Sequence, residues 1–155
     1  MINIIENGGK IMKKLIDLLN KQVANFGVLY TKFHNFHWFV YGKHFVTYHE
    51  FFEKLYDEAA ENLDAVAERV LMLGGKPLAS LKEFLENTSI VEATKQFTVD
   101  EMLKETSSDF QKINSEIQET IKVGQELGDE VTVDLLIGIA KDLQKHIWFI
   151  ESMLK

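Results

Sequence analysis

Residues 74–101 read GGKPLASLKEFLENTSIVEATKQFTVDE, and they decide the topology. Gly74-Gly75 followed by Pro77 is how a helix ends: glycine accepts the left-handed conformation past the last turn, and proline cannot continue it. Thr98 with Glu101 is the opposite signal, a capping box that satisfies two orphan N–H groups at a helix start. About 24 residues separate the two signals, and within them only Leu81 to Leu85 reads as a short helix. Two long helices are thus joined by a connection long enough to run the length of a bundle.

Apolar spacing extends outward in both directions from that connection. Upstream, Phe45, Phe52, Leu55, Tyr56, Ala59, Leu63, Val66, Ala67, Val70 and Leu71 recur at helical period. Before them, Leu15, Leu18, Leu19, Phe26, Leu29, Phe33, Phe36 and Val40 mark a helix from about Met12 to near Gly42, interrupted by the polar Gln22. Downstream, Met102, Phe110, Ile113, Ile117 and Ile121 carry a third long helix to about Glu126, where Gly128 breaks it. Val133, Leu136, Ile137, Ala140, Leu143, Ile147 and Ile150 line a fourth, from Asp129 to about Leu154. Residues 1–10, with Asn7-Gly8-Gly9, read as a flexible tail, and residues 11–155 as one domain. Four long helices with short first and third connections and one long crossover form an all-α bundle of ferritin-like topology, with a short helix in the crossover.

Composition agrees. The 155 residues carry 17 Lys and Arg against 24 Asp and Glu, a formal charge of −7, and 46% are hydrophobic, enough for one sizeable core. Cysteine is absent, which removes disulfides, thiol catalysis and Cys-ligated metals together and is compatible with a reducing cytoplasm. No apolar run approaches the roughly 20 residues that cross a bilayer, and no secretory leader is expected from Met1 to Gly9.

Chemistry concentrates on the second long helix. His49 and Glu53 are four residues apart, as are Asp64 and Glu68. At about 100° per residue they fall near 0°, 40°, 60° and 100° on one wheel, so all four share one side. A surface patch of carboxylates is the simpler explanation for either pair alone. A histidine in register, with no basic partner at the key spacings, points instead to metal. Carboxylate and imidazole together favour iron, manganese or zinc.

One helix cannot close such a site, because residues 53 and 64 are roughly 16 Å apart along the axis. The two pairs are nearly symmetric about position 58 or 59. An antiparallel second copy of the helix would set 49 opposite 68 and 53 opposite 64, giving two equivalent sites in a two-fold interface. The alternative, a di-iron site within one bundle, needs Glu three residues before a ligating His. The residues three before His34, His37, His44, His49 and His146 are Thr31, His34, Tyr41, Val46 and Leu143, so that motif is absent.

His37 lies where a short loop would place it beside His49. His34, one turn earlier, reads more simply as a structural histidine, His44 as a solvated loop residue and His146 as structural. Trp38 and Trp148 read as core or interface aromatics; beside an oxidative site either is also a candidate radical sink.

Taken together, Phe36-His37-Trp38, Gly42, Phe45, His49-Glu50, Leu63-Asp64-Ala65-Val66-Ala67-Glu68-Arg69 and Gly74-Gly75 resemble the Dps family, the miniferritins or DNA-protection-during-starvation proteins. Leu81-Lys82-Glu83-Phe84-Leu85 and His146-Ile147-Trp148 extend the match over nearly the whole chain. The resemblance implies a cytoplasmic iron-storage and detoxification protein: a hollow dodecamer built from two-fold dimers. It implies a ferroxidase that oxidises Fe(II), preferably with hydrogen peroxide, and stores ferric mineral against oxidative stress. It implies two iron ions per inter-subunit site, held by His37, His49 and Glu53 of one chain and Asp64 and Glu68 of its partner. Glu53 stands where the family usually has Asp. Glu126, Glu130 and Asp134 match the acidic residues that line an iron-entry pore in similar proteins.

Direct DNA binding is not expected. The first 14 residues hold only Lys10, Lys13 and Lys14, with Glu6, and twelve copies at −7 would carry about −84, repelling phosphate. Two other readings of the bundle are a non-catalytic interaction module, which would hold no metal, and a haem-binding bundle using His34 or His37, which a Soret band would reveal.

Overall fold

The computed structural model describes residues 2–155, with side chains from residue 8 onward; most of the expected N-terminal tail lies outside the described side chains. Five helices follow in order: α1 (Ile2–Phe39), α2 (Phe45–Met72), α3 (Leu81–Asn87), α4 (Val99–Leu127) and α5 (Glu130–Met153). Four long helices and a short one in the crossover are the architecture expected from the sequence. Helical backbone begins well before Met12 and runs through Gly8 and Gly9. Two glycines cost a propagating helix only about 1 kcal/mol each relative to alanine, so they need not end it.

The boundaries follow local chemistry. Gly74 has φ +79°, and its N–H donates to the Leu71 carbonyl at 2.9 Å while that of Gly75 donates to Val70 at 2.9 Å. These paired bonds are the Schellman closure that the Gly-Gly signal implied. Thr98 and Glu101 complete a reciprocal capping box at the start of α4. A second Ser/Thr-x-x-Glu signal, Ser80 with Glu83, caps α3. The crossover is pinned to α1 by two asparagines. Asn20 bonds Lys76 and Leu78, and Asn25 accepts from Thr88 and Ser89. The Phe84 ring of α3 packs against Gly27, where a Cβ would stand 2.5 Å from it.

α1 and α2 pack as one pair, α4 and α5 as another, and α1 also lies along α4. Fully buried Phe26, Phe33, Phe36 and Phe52 form the centre, with Phe33 edge-on to Phe110 at 5.6 Å. The expected faces of α1 and α4 are buried. On α5 the stripe is rotated slightly: Ile139 is inside and Ile137 is exposed, because His146 and Thr132 occupy the inner line beside Leu136, Leu143 and Ile150. Trp38 and Trp148 are not core residues; they are 66% and 62% exposed.

Most polar groups inside the bundle are paired; among the described residues the Nδ1 of buried His146 is the exception. Lys32 is buried and donates to Asp109 at 2.6 Å and Glu105 at 3.2 Å. Burial still holds the Asp109 carboxyl above its ordinary range. Gln22, the polar break in the α1 stripe, donates to Glu116 at 2.9 Å, joined there by Asn25 and Lys21. These networks fix the register of α1 against α4.

Candidate metal centre

His37 ends α1 and His49 lies in the second turn of α2, so the tight turn around Gly42 brings them face to face. Their rings stack at 3.6 Å with 21° between planes. Each Nδ1 donates to the other's backbone carbonyl, His37 to His49 and His49 to His37, both at 2.8 Å. A carbonyl can only accept, so both Nδ1 atoms carry a proton, and the tautomer this selects for a neutral imidazole has its lone pair on Nε2. That is the tautomer a metal-ligating imidazole uses, and backbone partners of this kind usually orient it. His37 is only 8% exposed; His49 is half-buried.

Glu53, one turn beyond His49, is exposed, as are Asp64 and Glu68. None forms an ion pair among the described residues, and the two basic residues of α2 are committed elsewhere. Lys54 lies 3.7 Å from Glu58. Arg69, next to Glu68, donates to Thr132 and Asp129 at 2.8 Å each. Partial burial alone would raise the Asp129 carboxyl, but the Thr132 and Arg69 hydrogen bonds outweigh it and hold it below its ordinary value. Glu53, Asp64 and Glu68 are therefore left without a counter-charge among the described residues. Among the described residues, no three His, Asp or Glu side chains gather within one chain. One chain brings together two imidazoles and presents two acids more than two turns further along the same helix.

His34, the weaker ligand candidate, donates from Nδ1 to the Tyr30 carbonyl at 2.7 Å and stacks on Tyr56 at 3.7 Å. Tyr56 in turn stands edge-on to His37 at 5.3 Å. Burial, and then the charges of Glu53 and Asp57, raise the Tyr56 phenol above its ordinary value. His44 is exposed at the start of α2. His146, read as structural, is 4% exposed and hydrogen-bonds Glu58 through Nε2 across the α2–α5 interface. Burial alone would raise the Glu58 carboxyl; the contact with His146 outweighs it and lowers it.

Glu126, Glu130 and Asp134 are exposed around the α4–α5 turn. Glu130, in the first turn of α5, gains from the helix dipole and needs no other explanation. Glu126 lies in the last turn of α4, where the dipole disfavours an acid, so helix stability does not account for it. Sequence periodicity did not reveal the Arg69–Asp129–Thr132 clamp, the Glu58–His146 contact or the His34–Tyr56 stack. The first two join helices far apart in sequence. The third was within reach, since Tyr56 flanks the polar side of α2 three residues after Glu53.

Residues 16–155 match the ferritin-like domain family. The chain is 46% identical over 142 residues to DNA protection during starvation protein 2 of Bacillus anthracis, covering 92% of this chain and 97% of that protein. It is 44% identical to general stress protein 20U of Bacillus subtilis, covering 92% and 98%. Among solved structures, a Dps protein from Bacillus brevis superposes with a TM-score of 0.93 at 45% identity, over 94% of this chain and 98% of that one. Dps from Staphylococcus aureus gives 0.91 at 40%, over 92% and 96%. A bundle with this crossover, carrying paired imidazoles at one end of α2 and free acids further along it, thus belongs to the ferritin-like family and, within it, to the Dps proteins.

Proposed function

We propose that the protein is a ferroxidase and iron store whose oxidising centres form only between two copies. His37, His49 and Glu53 of one subunit meet the partner's Asp64 and the partner's Glu68. The observation that carries this reading is the reciprocal His37–His49 pair. It turns two Nε2 atoms outward in a chain that, among the described residues, gathers no group of three His, Asp or Glu side chains and leaves Glu53, Asp64 and Glu68 without an ion-pair partner. The donor set is hard and borderline, suited to Fe(II) and more so to Fe(III), because anionic oxygen stabilises the higher charge. That preference lowers the reduction potential and drives oxidation.

With Fe(II) as substrate and hydrogen peroxide as oxidant, two ions held in one site deliver one electron each. Both oxygens leave as water and no hydroxyl radical escapes. Glu126, Glu130 and Asp134 attract Fe(II) to an entry pore, ferric product accumulates inside a shell of twelve chains, and Trp38 and Trp148 intercept stray radicals. The cell, and its DNA, is protected by removing iron and peroxide in the cytoplasm rather than by wrapping DNA, which the charge of −7 per chain opposes.

Particle mass and iron kinetics test this together. Twelve chains of 17.9 kDa make a particle of about 215 kDa, which should oxidise Fe(II) with peroxide far faster than buffer does. A monomer, or an assembled particle without that activity, would refute the reading.

A further inference from the structure

We propose that Met72 is a reversible oxidation site for peroxide on the carboxylate half of the centre, with Arg69 directing the oxidant to its sulfur and holding the sulfoxide oxygen; the inference rests on the reading above, which brings peroxide here. A centre that meets peroxide without Fe(II) has no reductant for it. A thioether supplies two electrons at once, and methionine sulfoxide reductases restore it afterwards.

Met72 stands where such a group is needed. It follows Glu68 by one turn, about 40° round the helix, on the side that carries the acids. It is 69% exposed, against 36% for Met153, while Met102 is fully buried. Packing does not account for it: Met72 is outside the core cluster, and its sulfur faces a cation. Nη1 of Arg69 donates to Sδ at 3.9 Å.

The guanidinium is held in place through its other nitrogens. Nε donates to Thr132 and Nη2 to Asp129, each at 2.8 Å. Among the described residues the sulfur is the one side-chain acceptor of Nη1, and a thioether is a weak acceptor. Nη1 therefore keeps a fixed direction and spare donor capacity beside one face of the sulfur. Peroxide that accepts from Nη1 is set against that face. The transferred oxygen stays on the guanidinium side, at a normal hydrogen-bond length of about 2.9 Å from Nη1. Arg69 remains on Asp129 and Glu68 remains free, so the oxidised chain keeps its ligands.

The step balances. A sulfur lone pair attacks one peroxide oxygen, and the S–O bond forms as the O–O bond breaks. Sulfur loses two electrons and peroxide gains them. The oxygen on sulfur gives its proton to the departing hydroxide, which leaves as water.

The test treats the assembled full-length protein, free of iron, with hydrogen peroxide and follows each methionine by peptide mass spectrometry. Met72 should gain one oxygen several-fold faster than Met153. The sulfoxide epimers separate a directed site from simple exposure. A reductase specific for one epimer should restore most of Met72, whereas Met153 should need both classes of reductase. Arg69→Lys removes the planar fork; it should lower the Met72 rate several-fold and even out the epimers. Equal epimers at Met72 in the parent, or oxidation no faster than at Met153, would overturn the role of Met72 while leaving the ferroxidase reading intact, and the parent alone decides this if Arg69→Lys does not assemble. Epimer-selective oxidation of Met72 in a particle that fails to oxidise Fe(II) would overturn the ferroxidase reading instead.

Discussion

The two ends of α2 carry the two halves of the proposed site, each contributing to a different one of the two symmetry-related centres, and are built in opposite ways. At the beginning, His49 is locked against His37 by two backbone hydrogen bonds and a ring stack, all within one chain. Further along, Asp64 and Glu68 are exposed, and their only basic neighbour, Arg69, is turned away into the start of α5. One half is preorganised by its own fold; the other is merely kept free of competitors. Tyr30 and Tyr56 pack on the imidazole half and not on the carboxylate half. The asymmetry fits a site assembled from two copies: the imidazoles set the geometry, and the carboxylates arrive on a rigid helix.

Asp64→Ala and His49→Ala separate the halves most forcefully. Each should reduce iron oxidation by orders of magnitude in stopped-flow assays. Only His49→Ala should also lower stability, by about 1–2 kcal/mol, because it removes a part-buried hydrogen bond. Asp64→Ala should stay within about 0.5 kcal/mol of the parent, as expected for an exposed side chain. Equal destabilisation of the two variants would break the contrast.

Next in size is the clamp that diverts Arg69. Arg69→Leu should cost about 1–3 kcal/mol by leaving Asp129 without its charged donor, measured by chemical denaturation. The Asp129 carboxyl is lowered in the folded state, so its contribution is present above its ordinary value of about 3.9 and is lost as pH falls through the folded value. Asp129→Asn should therefore flatten the acid limb of the stability curve, with little effect on its shape near neutrality. A steeper acid limb in the variant would contradict that sign.

The smallest effect should come from Glu53→Asp. It shortens the reach of an exposed carboxylate by one methylene and should shift binding of the second metal ion by a few-fold without changing stability. Isothermal titration with a redox-inert divalent cation reads this directly, and no change would mean that Glu53 is not a ligand.

Much of this was legible in the sequence. The Gly74-Gly75 stop and the Thr98–Glu101 start specified the crossover because both act through local backbone hydrogen bonds. The single side shared by His49, Glu53, Asp64 and Glu68 followed from helical period alone. The long-range features were not legible. Lys32–Asp109, Glu58–His146 and Arg69–Asp129 join residues 60 to 88 positions apart, and no periodicity encodes which polar residue meets which. The α1 start is not legible either: Asn7-Gly8-Gly9 reads as a turn, whereas the helix runs through it. Ile137 fits the inward stripe by spacing alone, because the 3–4 period fits two adjacent stripes, and the buried His146 and Thr132 select the other.

Complementation between two inactive variants tests the shared site most directly. Co-expressed at equal levels, His49→Ala and Asp64→Ala chains pair at random, and each mixed dimer then holds one fully native centre and one doubly damaged one. Roughly a quarter of all centres are restored, and iron oxidation should recover to about that fraction. If each centre were built from a single chain, the mixture would be as inactive as its parents, and that result would contradict the account.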